Sequence, residues 1–95
     1  MGSYVVETFV PQDDPDRFVV DVRSLRAAVR APGGPRYLRS YLVPDDAMGF
    51  HVIEAETADE VARLARLANV DVERIVSTVS VAAIEARRLA RSPEG

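Results

Sequence analysis

The chain has 95 residues, with 12 Lys+Arg against 15 Asp+Glu and a formal net charge of −3. That length makes one small domain with a single core, and a hydrophobic share of 47% is globular rather than disordered. The absence of cysteine excludes disulfides, thiolate catalysis and Cys-based zinc sites. The acidic balance speaks against nucleic-acid binding, and no apolar run approaches the roughly 20 residues of a membrane span.

Every basic residue is Arg, which together with the many Ala and Val reads as a high-GC coding bias. No charged stretch followed by an apolar one opens the chain, so no signal peptide is expected and the expected location is cytoplasmic. Met1-Gly2-Ser3 reads as a cloning remnant and is set aside from the fold.

Tyr4 to Val10 is β-branched and aromatic, stops at Pro11, and predicts the first strand. Asp14-Pro15 supplies an N-cap and N1 pair for a helix. Phe18, Val22, Leu25 and Val29 then recur on one helical face, with Arg17, Asp21, Arg23 and Arg30 mostly off it. The run Phe18-Val19-Val20 is a competing strand signal. Pro32-Gly33-Gly34-Pro35 ends the element.

Arg36–Val43 and Met48–Glu56 are strand-like and joined by Pro44-Asp45-Asp46-Ala47, which predicts a hairpin. Thr57-Ala58-Asp59-Glu60 matches the capping box. Val61, Leu64, Ala65 and Ala68 follow at helical spacing, and Asn69 suits a left-handed C-terminal cap. Arg74–Val81 alternates and predicts a last strand. Ala82–Arg91 predicts a short terminal helix, with a frayed tail from Ser92.

The order is β-α-β-β-α-β plus a terminal helix. It predicts an α+β ferredoxin-like domain over residues 4–91, a four-stranded antiparallel sheet with two helices on one face. With Val43 opposite Met48, Tyr37, Arg39, Tyr41 and Val43 share one sheet face with Met48, Phe50, Val52 and Glu54. Leu38, Ser40, Leu42, Gly49, His51, Ile53 and Ala55 point the other way, toward the helices. The first face is aromatic and too apolar to leave in water. A homodimer packing two such faces into an α/β barrel is the simple cover.

Arg39-Ser40-Tyr41-Leu42-Val43-Pro44-Asp45-Asp46 resembles the H-S-Y-V-x-D-D segment of a bacterial family of small ferredoxin-like proteins, some of them described as nickel-binding. Tyr4-Val5-Val6-Glu7, Val52-Ile53-Glu54-Ala55 and the stretch Ala65–Ile75 extend the likeness over most of residues 4–81. The resemblance implies a dimeric α/β barrel and divalent metal binding, nickel first. Where the family often has His, Cys and His, this chain has Arg39, His51 and Leu64. Of the three, His51 alone has a ligand side chain.

His51, the single His, has two readings. As a metal ligand it needs carboxylates such as Glu7 or Glu54; as a structural residue it needs one hydrogen-bond partner. Glu7, beside Val5 and Phe9, needs a partner when buried, and Arg39 on the neighbouring hairpin is the expected one. The pair reads either as an interfacial ion pair or as the polar end of a ligand pocket, Arg39 gripping an anion. Tyr37, Tyr41 and Phe50 form an aromatic stripe, either core and interface or a pocket wall. Asp13, Asp14 and Asp16 suit capping, Asp45-Asp46 turn chemistry, and Arg87, Arg88 and Arg91 the dipole of the terminal helix. Gly33-Gly34 lacks the strand-to-helix setting of a phosphate loop, and no Ser/His/Asp order suggests a hydrolase.

The expected function is a small binding protein with a divalent metal as first candidate ligand. The first alternative is a cofactor-free enzyme or small-molecule binder on the same barrel, by analogy of fold. The second is an interaction module using the terminal helix.

Overall fold

A computed structural model describes residues 2–30 and 32–91; the tail from Ser92 lies outside them. The elements run β1 (Gly2–Phe9), α1 (Asp16–Ala28), β2 (Arg36–Val43), β3 (Met48–Ala55), α2 (Ala58–Leu67), β4 (Arg74–Thr78) and α3 (Val81–Arg91). The four strands form one antiparallel sheet in the order β2-β3-β1-β4. This is the ferredoxin-like arrangement. Among the described residues no helix is long and apolar enough to cross a membrane.

Alternation along the strands sorts the side chains. Val6 on β1 and Ile53 and Ala55 on β3 are fully buried under Leu25 of α1 and Val61 and Leu64 of α2. One apolar core therefore joins both helices to a single sheet face. Gly2 and Ser3 belong to β1, paired with Ala55 and Glu54 of β3, so the strand starts earlier than the sequence predicts. The strand β4 is shorter than predicted. It stops at Thr78 because Ser80 caps α3, its Oγ accepting from the Ala83 N–H at 3.0 Å.

The two helices enclosing the core start differently. Thr57 caps α2 as expected, its Oγ1 accepting from the Glu60 N–H at 3.2 Å. The Glu60 carboxylate returns to the Glu56 N–H. Asn69 takes the left-handed conformation (φ 59°), and the Val70 N–H reaches the Ala65 carbonyl at 3.0 Å. In α1, by contrast, Asp14 makes no side-chain cap, and Pro15 precedes the first helical residue. Asp21, expected off the buried face, lies on it: three residues after Phe18 and four before Leu25, it is 7% exposed. Burial pushes its carboxyl pKa up; Arg17 pulls it down and Asp71 adds a smaller upward push.

Between Tyr37 and Arg39 the β2–β3 register slips. Tyr37 pairs with Ile53 and Arg39 with Val52, which leaves Leu38 as the extra residue of a β-bulge. The terminal helix α3 carries only exposed side chains from Val81 to Leu89.

Candidate functional site

Among the described residues, no element except α3 at one edge covers the sheet face away from α1 and α2. Its side chains lie in cross-strand rows. Tyr41, Phe50, Glu7 and Arg74 form one row, and Arg39, Val52, Val5 and Val76 the next. Arg36, Glu54, Ser3 and Thr78 form a third, and Val43, Met48 and Phe9 a fourth. Eight of these fifteen side chains are aromatic or aliphatic, and Phe9 and Tyr41 are each 54% exposed.

Of the expected site residues, Glu7, Arg39, Tyr41, Phe50 and Glu54 share this face. Tyr37 does not, which corrects the expected face. The bulge at Leu38 reverses the alternation before it, so Tyr37 turns toward the helices and packs on the core. Its ring lies under the Arg26 guanidinium, 5.1 Å from the centroid.

The expected Glu7–Arg39 pair is not formed either. Glu7 lies between Phe50 on β3 and Arg74 on β4, while Arg39 sits two strands away opposite Val52. Glu7 therefore takes a two-point bond from Arg74, Nε to Oε1 and Nη2 to Oε2, both at 3.3 Å. Glu54 is held by Arg36 at 3.1 Å. Glu7 and Glu54 are the two acids of the strands, and both are paired. Arg39 has no ion pair among the described residues.

His51 lies on the other face, in the layer between sheet and helices, and is fully buried. Ser40 is opposite it on β2, and the Ser40 Oγ–His51 Nδ1 distance is 2.7 Å. Tyr37 Oη is 2.5 Å from the same Ser40 Oγ. On the far side of the ring, Nε2 meets Thr8 Oγ1 at a longer 3.5 Å, and Thr8 Oγ1 reaches the Gly49 carbonyl. One proton direction satisfies every group. Tyr37 donates to Ser40, Ser40 donates to Nδ1, the Nε2–H donates to Thr8, and Thr8 donates to the Gly49 carbonyl. Both nitrogens of the imidazole have a hydroxyl partner. Burial pushes its pKa from 6.5 down to about 4.

The ring is also clamped. Phe18 of α1 stacks on it with centroids 5.4 Å apart and planes at 21°. This approach requires Gly49. A Cβ there would lie 2.8 Å from Thr8 Oγ1 and 3.0 Å from the Phe18 ring. The Ser40–His51 contact has no carboxylate behind it, since a hydroxyl occupies that place; it works as a polar pin in the core. His51 and the carboxylates of Glu7 and Glu54 stand on opposite sides of the sheet, so one chain does not bring the three together. Among the described residues no group of three or more His, Asp or Glu is placed to hold a metal ion.

A hollow of about 570 Å³ opens where α3 overhangs the uncovered face. Its walls include Ser3, Val5, Arg39 and Val52 from the sheet and Ser80, Ala83 and Arg87 from the start of α3. Arg87 was not legible as a site residue from the helix pattern alone. The visible signal is the spacing of Ser80, Ala83 and Arg87, which places them on one helical side.

No family model matches the chain, and no curated protein matches it. Among solved structures it is similar to the crystal structure of SCO4226 from Streptomyces coelicolor A3(2). The sequences are 14% identical, the match covers 83% of this chain and 99% of that chain, and the TM-score is 0.69. At this identity the likeness shows a shared fold.

Proposed function

We propose that the chain is a small ligand-binding module that acts as a homodimer, two copies packing their uncovered sheet faces into an α/β barrel. The composition of that face supports the reading. Aromatic and branched apolar side chains cross all four strands, and contiguous apolar patches of this kind mark interaction surfaces. A second copy offers an identical, self-complementary face, the simplest closed solution. Glu7, Arg39, Tyr41, Phe50 and Glu54 then line the inside of the barrel, where a ligand meets both apolar walls and fixed charges. An enzymatic role would be played at this same face; the Ser40–His51 pair lies behind the sheet from it.

Size-exclusion chromatography with light scattering tests the dimer. The mass of two chains is expected at tens of micromolar, and Tyr41→Asp combined with Phe50→Asp should give the mass of one. A folded wild-type monomer at that concentration, with Tyr41 open to water, ends the reading.

For the nickel reading drawn from the resemblance, the described residues of one chain assemble no donor set: His51 has a partner at both nitrogens, and Glu7 and Glu54 are paired with arginines. Calorimetry with Ni²⁺ separates the two readings. The proposal expects no saturable heat at tens of micromolar, and its appearance would restore the metal.

A further inference from the structure

We infer that the hollow between the uncovered sheet face and α3 binds a small amphipathic anion, a carboxylate on an apolar body, gripped by the guanidinium groups of Arg39 and Arg87. The charge pattern carries the inference. The chain is acidic overall, with a net charge of −3, yet the hollow is walled by two arginines and by no Asp or Glu. The acids nearest to it in the sheet are already neutralised, Glu7 by Arg74 and Glu54 by Arg36. Arg39 and Arg87 form no ion pair among the described residues. Two like charges facing one concavity repel, and an anion between them relieves the repulsion.

The remaining walls specify the rest of the ligand. Val5 and Val52 lie side by side on the two central strands and present an apolar floor. Arg39, opposite Val52 on β2, brings its fork of donors to the edge of that floor. Ser3, Thr78 and Ser80 put hydroxyls at the other end. The Thr78 hydroxyl is spent on the Ser3 carbonyl and the Ser80 oxygen on the Ala83 N–H, so the guanidiniums are the strong donors left. A volume of about 570 Å³ suits a small molecule rather than a bare ion. The inference rests on the ligand-binding reading above and adds the chemical class; the twin copy would close the open side of the hollow.

Calorimetry on the full chain at low salt, with octanoate, octylammonium and inorganic phosphate as probes, tests it. Octanoate is expected to bind about tenfold or more tighter than either of the others, because only it offers both the charge and the apolar body. Arg39→Gln and Arg87→Gln should each weaken octanoate about tenfold. In the wild-type protein the Val5 and Val52 methyl resonances should move on adding octanoate. Equal binding of octanoate and octylammonium, phosphate binding as tight as octanoate, unchanged affinity in both variants, or unmoved valine methyls would each overturn the proposal. Light scattering on the same samples keeps the two readings apart. A monomer that binds octanoate through both arginines upholds the site and ends the dimer, whereas a dimer indifferent to octanoate does the reverse.

Discussion

Acid should weaken this fold through one imidazole. In the unfolded chain His51 protonates near 6.5, whereas in the folded core burial holds it to about 4. Its folded pKa is thus depressed, so the unfolded chain binds the proton first as pH falls. The stability held above the unfolded value is lost on the way down to about 4. The gap of about 2.5 pH units corresponds to about 3 kcal/mol at about 1.4 kcal/mol per unit, of which about 2 kcal/mol falls between pH 7 and pH 4.5. For a domain this size that is a large fraction of the whole stability. Asp21 acts with the opposite sign. Its carboxyl pKa is raised on folding, so the native state takes that proton first and gains stability as pH falls through the raised value. Urea unfolding followed by circular dichroism at pH 7, 6, 5 and 4.5 measures the sum. The comparison with His51→Gln isolates the imidazole, since Asp21 and the other carboxylates are common to both proteins. The variant should be about 1–3 kcal/mol weaker at pH 7, from the disturbed hydroxyl chain, and flatter with pH by about 2 kcal/mol. Equal pH slopes in the two proteins would refute the claim that the neutral ring is what the core requires.

Gly49→Ala should cost about 1–3 kcal/mol in the same urea assay, because the new methyl meets Thr8 Oγ1 at 2.8 Å and the Phe18 ring at 3.0 Å; an unchanged midpoint would mean that the clamp on His51 is looser than described. A double-mutant cycle of Glu7→Gln with Arg74→Gln should give a coupling of at most about 1 kcal/mol, as suits a pair whose Arg is exposed. The same cycle with Arg39→Gln should give none, and coupling to Arg39 instead would overturn the observed pairing.

The element order was legible because each segment carries its own periodicity and its own stop. Thr57 and Asn69 mark the two ends of α2 by local chemistry that tertiary packing does not override. The hairpin register followed from alternation too: placing Val43 opposite Met48 puts Ser40 opposite His51, and that pair forms. Alternation fails where the chain inserts one residue. Nothing in Arg36-Tyr37-Leu38-Arg39 announces a bulge, so Tyr37 was expected among the face residues although it serves the core. The Glu7 partner was misplaced for a related reason. Which of several arginines a carboxylate meets depends on strand order, and β4 enters beside β1 only after the second crossover. The interior role of His51 was readable from its face, but Thr8 and Phe18, which complete its surroundings, come from 43 and 33 positions earlier in the chain and carry no local signal.

The bulge at Leu38 also has a bearing on how copies of the chain meet. The strand β2 forms one border of the sheet, with a row of backbone donors and acceptors turned outward. An uninterrupted border strand invites another molecule to extend the ladder and, by repetition, to build fibrils. The inserted residue interrupts the spacing of those groups near the start of the strand, which shortens the regular border to Arg39–Val43. The border of the sheet is thereby made a poorer template for open-ended polymerisation.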